Sequence, residues 1–464
     1  MGIDRTERAG RTAQAGRTAR TGEAGQTVGT GLSGSADQSD RADYAETVIV
    51  GGGAAGMNCA LELKKAGKPY LLLSDYLGGR ILNDDDLHMN YGAVFFFGNY
   101  DNMLDPEKNI IQPTTDVLPK LTDGFCHPDP DDDARQFAAL SGKTLRDAPS
   151  LIRYMGFMNK EFLPRYKRFK DNCEVMEVRT ALEKDPLINE LYHQTADEMI
   201  KQRGFGGICD DLISMFAHAC TGSRIKTLSA LDYLNCVQPL TLKLPSLERV
   251  LCIKRFDFDK EGMARRLREG AGRAEFGDAG TVVAVERAVQ GGAMATGARW
   301  RVTCKDGSVH ECENLVMATP IDVTARLLAG IDGLPELEVR NASQLYGYIL
   351  ECEPRPAFER GIVHIFSDET PIIFIARRKA GQYEIFTEVE FEESRRFDRY
   401  FKPGWKVLGS KFWPKALFTN PNYVNPNNLA PGLVLAGDCN GLGMEPAAVS
   451  GVYAANKILG KTVD

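Results

Sequence analysis

Apolar positions along the chain fall into three patterns, and each predicts a different kind of element. Short continuous runs, Val48 to Val50 and Tyr70 to Leu73, predict buried strands, and the stretch between them predicts a helix over 55–66 that stops at Gly67. Together they form a β-α-β unit. Farther on, Tyr154, Phe157, Met158 and Phe162 recur at helical spacing, which predicts a helix over 151–162 with one buried face and a solvated opposite one. Helices are likewise predicted over 195–202, 210–219 and 228–235. The third pattern is alternation: 344–351, 362–366, 372–376 and 383–389 predict strands of a layer that those helices would cap. Between the two regions, 258–320 reads as helix, strand, hairpin and strand, with Lys305, Asp306 and Gly307 at the hairpin turn.

The first 43 residues follow none of these patterns. They are rich in Gly, Ala, Thr and Arg, carry GRTA at 10–13 and again at 16–19, and predict a disordered tail. They lack the apolar core of a secretory signal, and Asp4, Glu7 and Glu23 argue against an organellar transit segment, so the cytoplasm is the expected location. No apolar run approaches the roughly 18 residues of a membrane-spanning helix, so no integral membrane segment is expected.

Two glycine-rich segments carry the candidate chemistry. Val48 to Val50 runs directly into Gly51, Gly53 and Gly56, the spacing of a dinucleotide-binding turn: a tight bend, room for a pyrophosphate, and close helix–strand packing. The helix start that follows offers free N–H groups to phosphates. Just after the second strand, LGGRI places Gly78 and Gly79 where backbone can pass close to a ligand and Arg80 where it can face a phosphate. Near the other end, AGD at 436–438 precedes a helix start with Pro446 in its first turn, a position whose free N–H groups favour negative charge.

These segments resemble the flavin amine oxidase and phytoene desaturase superfamily, which includes protoporphyrinogen oxidase. The resemblance covers mainly 46–93, 250–330 and 428–460. It implies an α/β fold: a Rossmann-like FAD-binding domain assembled from 44–93, 248–335 and 425–464, and an α+β substrate domain of mixed sheet and helical cap from 94–247 and 336–424. It also implies FAD as cofactor. Gly51, Gly53, Ala54, Ala55 and Gly56 would hold the pyrophosphate, and Gly78, Gly79 and Arg80 would line the pyrophosphate and flavin. Val283 would lie in the strand meeting the adenine, and Ala318 where the chain returns to the cofactor. Gly437 and Asp438 would meet the ribityl chain, and Met444, Glu445 and Ala447 would open the helix aimed at N1 and O2, where a reduced flavin carries negative charge. One position departs from the family: the Glu that usually holds the adenosine ribose is replaced by Ser74, with Asp75 beside it, and Asp75 is the preferred ribose ligand.

Composition narrows the function classes. A formal net charge of −7 argues against nucleic acid as a partner. The basic stretch 153–170 reads as the solvated side of an amphipathic helix, with peripheral membrane contact as the sharper alternative. Eleven cysteines without CxxC pairs suit a reducing compartment, and neither they nor the six histidines have the spacing of a metal site. Cys439, next to Asp438, reads as an unreactive neighbour of the cofactor, with a covalent thioether as the alternative. His218 reads as a satisfied helix residue. Asp129, Asp131, Asp132 and Asp133 form a solvated loop that lacks the glycine and terminal glutamate of a calcium site.

Hydride transfer to flavin N5 needs positioning, exclusion of water and tuned charge rather than a separate nucleophile. The expectation is therefore an FAD-dependent oxidoreductase of desaturase or oxidase type, transferring hydride from a substrate carbon to flavin N5 in the dehydrogenation or desaturation of a small or medium, partly apolar organic molecule, with an acceptor that the sequence does not name. The lysine common in amine oxidases has no evident counterpart, and Tyr346 and Tyr348 are the weak catalytic candidates. A flavin amine oxidase and a non-redox flavin isomerase are the alternatives; a flavin-free binding protein is disfavoured by the intact GGR and AGD segments. With a single dinucleotide turn, no NADPH domain is expected.

Overall fold

In the computed structural model, the two short apolar runs become parallel neighbours. Strand Asp43–Val50 pairs with Tyr70–Ser74 on one side and Val309–Met317 on the other, Gly272–Phe276 extends the sheet past Tyr70–Ser74, and Leu433–Leu435 pairs with the end of Val309–Met317. Register aligns the strand ends: Val50 lies opposite both Leu73 and Met317, and Met317 opposite Leu435. The turns leaving these strands therefore gather at one edge, where open α/β sheets bind ligands. An antiparallel hairpin, Val282–Arg287 with Trp300–Cys304, completes the sheet. The structure describes residues 42–463 except 85–88, 117–119, 129–134, 138–145, 208, 244–245, 247, 250, 289–298, 340–341, 391–397 and 420–422. The expected tail and the acidic loop at Asp129 and Asp131 to Asp133 lie outside the described residues, apart from the last two residues of the tail.

Helix Ala54–Lys65 follows the glycine turn and lies against the last helix, Met444–Ile458. Gly451 makes that approach possible, because a Cβ there would stand 2.1 Å from the Ala55 carbonyl oxygen. Gly451→Val should separate the helices and lower stability by about 1–3 kcal/mol, measured as a fall in the midpoint of thermal unfolding.

A second, seven-stranded sheet gathers the alternating segments, including Ala342–Glu351, Val363–Phe366, Ile372–Lys379 and Gln382–Thr387, with Gly124–His127 inserted parallel to Val363–Phe366. One face of this sheet has its own aromatic core around Tyr348, Phe358, Phe366, Tyr383 and Phe401. Its other face contributes to the main core, which also takes in the helical layer. A small sheet of Phe95–Phe97, Ile253–Asp257 and Gln112–Asp116 stands beside it.

The helix expected over 151–162 is longer than its apolar pattern implied. Ala148–Phe157 runs through a π-helical turn, Met158–Phe162, into Leu163–Cys173. Pro164 lacks the N–H for a regular helical bond, and the wider turn before it absorbs the mismatch. Its expected face is buried: Tyr154, Met158 and Phe162 have no exposed surface and Phe157 is 6% exposed, whereas Ile152 is 66% exposed. Among the described residues, no helix is long and apolar enough to cross a membrane.

Candidate functional site

The aligned strand ends open onto a cavity of about 630 Å³. One part of its wall is the dinucleotide edge: Gly51 to Ala55, Ser74 to Tyr76, Gly78 to Ile81, Gly280 to Val282, Ala318 to Pro320, Gly437 and Asp438, and Leu442 to Met444 with Ala447. Gly56 does not reach the cavity. Its Cα lies under the turn, where a Cβ would stand 1.8 Å from the Gly51 carbonyl oxygen. Gly53 is different: a Cβ built there would meet only the Gly79 Cα, at 3.9 Å, so this stretch of wall has free space in front of it.

The two distant motifs meet in an ion pair. Arg80 donates from Nη1 to Asp438 Oδ2 at 2.7 Å and from Nη2 to Oδ1 at 2.6 Å, and Nη1 also reaches the Ala416 carbonyl at 2.8 Å. Such a bidentate fork fixes both partners and ties the GGR loop to the AGD segment and to strand Lys406–Phe418. Because the Arg80 charge is largely offset by Asp438, a bound anion would depend chiefly on the backbone N–H groups of the two helix starts.

Ser74 and Asp75 both line the cavity but differ in availability. The Ser74 hydroxyl accepts from Gly52 N at 2.9 Å and donates to the Tyr76 carbonyl at 2.8 Å, so it clamps the glycine turn. Asp75 is exposed, and its Oδ1 accepts from Tyr76 N at 2.9 Å. Val283 sits at a bulge and is 52% exposed; Val282, with Gly280 and Thr281, lines the cavity instead.

Val283 is thus displaced from the contact expected of it, and two further expectations, for Glu445 and for the two tyrosines, are corrected. Glu445 points away from the cavity, accepting from Asn102 N at 3.0 Å and Met103 N at 3.2 Å and lying 3.5 Å from Lys170 Nζ. It fastens the start of the last helix to the 102–103 segment, and burial pushes its carboxyl pKa up. Tyr346 and Tyr348 lie on the far face of the second sheet, in its separate aromatic core, while Leu345 lines the cavity. Alternation correctly put both tyrosines on one face, but it was the wrong face. Tyr348→Phe should therefore leave turnover within about twofold of wild type, checked by steady-state kinetics. Cys439, the alternative attachment point, sits in a core cluster outside the cavity wall, and burial pushes its thiol up to about 12, so at neutral pH it is not the nucleophilic thiolate. All eleven cysteines are free thiols. His218 lies outside the wall as well, buried with Nδ1 3.3 Å from the Ser223 carbonyl.

The remaining wall was not foreseen. Phe95, Phe97, Tyr100, Ala219, Cys220, Asn235, Cys236, Leu345, Ile373, Phe374, Phe386 and Trp413 also line the cavity, none of them charged at neutral pH, whereas Asp322, Arg326 and Lys415 add charged groups to the same wall, Lys415 Nζ lying 2.6 Å from Asp322 Oδ2. Desolvation raises the Tyr100 and Cys220 pKa values. Trp413 is held by Nε1 donating to the Tyr91 carbonyl at 2.7 Å.

Comparison with known proteins agrees with this geometry. A family described as an NAD(P)-binding Rossmann-like domain matches residues 49–105. No curated protein matches the chain by sequence. Among solved structures, a CLA-producing fatty acid isomerase from P. acnes superposes with a TM-score of 0.60 at 13% identity, covering 90% of this chain and 99% of that one. Putrescine oxidase bound to putrescine gives 0.61 at 12%, covering 90% and 100%. Cyclohexylamine oxidase from Brevibacterium oxydans IH-35A gives 0.59 at 12%, covering 89% and 97%. Over about nine-tenths of its length the chain thus has the same mixed α/β fold as these solved proteins, with a Rossmann-type dinucleotide-binding unit at residues 49–105.

Proposed function

We propose that the protein is an FAD-dependent oxidoreductase that takes hydride from a carbon of a small or medium, largely apolar organic substrate. The observation that carries this reading is one cavity whose wall combines a glycine-lined strand edge between two helix starts with a set of uncharged aromatic and aliphatic side chains. The residues present fit the cofactor, since the space before Gly53 accepts a pyrophosphate and Asp75 is free to receive ribose hydroxyls. FAD bound there would supply a hydride acceptor at N5.

The chain's own residues supply the rest. Backbone N–H groups at Ala54 and Ala55 and at the start of Met444–Ile458 hold negative charge. Arg80 and Asp438 keep the two halves of the cradle in register. Phe95, Phe374, Phe386 and Trp413 exclude water and orient an apolar substrate by shape. In this reading 44–93, 248–335 and 425–464 form the cofactor-binding domain, and 94–247 with 336–424 the substrate-binding domain.

The test is the visible spectrum of the purified protein before and after acid precipitation, followed by anaerobic addition of candidate substrates. A yellow protein that releases its colour to the supernatant and bleaches with an apolar substrate supports the proposal. Bleaching only by amines favours the amine oxidase alternative, and turnover without consumption of an acceptor favours an isomerase. A colourless protein that takes up no FAD overturns the reading.

A further inference from the structure

Tyr100 and Asn235 set two hydrogen-bonding groups among the aromatic and aliphatic side chains of the cavity wall. Both residues are buried, at 9% and 5% exposure. Among the described residues the Tyr100 hydroxyl and the Asn235 amide nitrogen have no hydrogen-bond partner, yet neither atom is sealed inside the protein as Trp300 Nε1 is. The surface that they keep therefore belongs to the cavity they line.

A relay of amides decides which end of Asn235 is left over. Asn235 lies in the last turn of helix Ala230–Cys236, and Gln238, 1% exposed, follows it. Gln238 Nε2 donates to Asn235 Oδ1 at 2.8 Å, while Gln238 Oε1 accepts from Asn99 Nδ2 at 3.0 Å. With its oxygen engaged, the Asn235 amide has N–H bonds to offer. The same relay ties Asn99, and with it Tyr100, to this helix. Lys170 Nζ donates to the Asn99 carbonyl at 2.8 Å, and the Phe97 ring meets Tyr100 edge-on at 5.5 Å, so the tyrosine is held from both sides. Burial keeps the Tyr100 hydroxyl protonated, and it too can donate. Of the neighbours that act on Tyr100, Cys220 and Cys236 share the wall as neutral thiols, and Glu445 lies outside it, where its carboxyl disfavours an anion nearby.

We propose that Tyr100 and Asn235 receive a carbonyl oxygen, and that the substrate is an uncharged, largely apolar molecule carrying that carbonyl. A carbonyl oxygen has two lone pairs and no proton to place, which matches two donors, whereas a cation would meet both N–H and O–H dipoles positive end first. Without a ligand, water meets the two groups. This rests on the reading of the cavity as a substrate site and adds the class of molecule it takes.

Calorimetric titration of the whole protein with α-tetralone, tetralin and aminotetralin, which share one bicyclic frame, tests the assignment. Tetralone should bind at least about tenfold more tightly than tetralin or the protonated amine at neutral pH, the size expected of two neutral hydrogen bonds in a site shielded from water. Tyr100→Phe removes a hydroxyl that no described protein group uses, so the fold is not at stake, and the preference for tetralone over tetralin should fall about threefold. Asn235→Leu should reduce it likewise, and the double variant should abolish it. Equal binding of tetralone and tetralin, tighter binding of aminotetralin, or an undiminished preference in Tyr100→Phe overturns the carbonyl site. Loss of flavin from Tyr100→Phe overturns it as well, by assigning that hydroxyl to the cofactor. Bound flavin in the wild type, read from the visible spectrum of the same samples, is judged separately: a flavin-loaded protein without ketone preference loses the carbonyl site alone, and a flavin-free protein that prefers the ketone loses the oxidoreductase reading alone.

Discussion

If the proposed FAD site is right, Gly53→Leu protein is expected to purify without flavin, at under about a tenth of wild-type occupancy, because four added carbon atoms would stand where the proposed pyrophosphate would lie and cost at least about 4 kcal/mol of binding, or roughly a thousandfold in affinity. The effect should be confined to binding. Gly53 has φ −82°, which any residue adopts, and the nearest atom to a Cβ there is the Gly79 Cα at 3.9 Å, so the protein itself has room for the side chain. Its far-ultraviolet circular dichroism and unfolding midpoint should match those of flavin-stripped wild type. Gly56→Leu makes the contrast, since its Cβ would collide with the Gly51 carbonyl at 1.8 Å and disrupt the fold as well. Stoichiometric flavin in purified Gly53→Leu would overturn the placement of the cofactor.

The second large effect concerns acid stability and lies in the other sheet. His127 and His364 are buried side by side, Nε2 of the first 3.1 Å from Nδ1 of the second. His364 Nε2 lies 2.9 Å from the Arg360 carbonyl, which can only accept, so Nε2 carries the proton and Nδ1 accepts from His127. Both rings are neutral and stacked among aromatics, His127 on Phe366 at 4.5 Å and His364 on Phe125 at 5.3 Å. Burial, with the neighbouring ring adding to it, lowers His127 to about 3, and burial lowers His364 to about 4.

An unfolded chain takes up these protons near pH 6.5, whereas the folded protein refuses them until pH 4 and below. Stability from the pair is therefore complete above pH 6.5 and declines as pH falls, by about 1.4 kcal/mol per pH unit for each ring, or on the order of 4 kcal/mol for both by pH 5. Buried His218 and His310, also lowered by burial, act in the same direction, while the raised carboxyl groups of Glu384 and Glu445 act oppositely. The measurement is urea unfolding at several pH values between 5 and 7.5 for wild type and for the His127→Gln, His364→Gln double variant. Whatever the variant's stability at pH 7.5, its slope should be shallower by the contribution of two histidines; parallel slopes would mean that the pair is protonated in the folded state.

Local chemistry made one half of the site readable from the chain. Strand Asp43–Val50, the glycine turn and helix Ala54–Lys65 follow from contiguous residues whose backbone needs are specific, and the GGR and AGD segments each announce a close approach of backbone to ligand. The elements of the second sheet were also visible as alternation, and the buried stripe at Tyr154, Phe157, Met158 and Phe162 as helical period. What alternation cannot say is which face of a sheet meets a cavity when both faces are covered. Tyr346 and Tyr348 were lost to that ambiguity, and Leu345 was hidden by it.

The sequence by itself determined the dinucleotide turn, the class of each major element and the two motifs that had to converge. Only the tertiary structure decided that Arg80 and Asp438 bind each other, that Glu445 turns inward toward Asn102, that a bulge moves the cavity contact from Val283 to Val282, and that Tyr100 and Asn235 share a cavity wall. The physical reason is range. A turn or a helix start is set by neighbouring residues, whereas an ion pair 358 residues apart along the chain, or the direction of a buried side chain, depends on how separate layers pack and on which charges remain to be matched once they have.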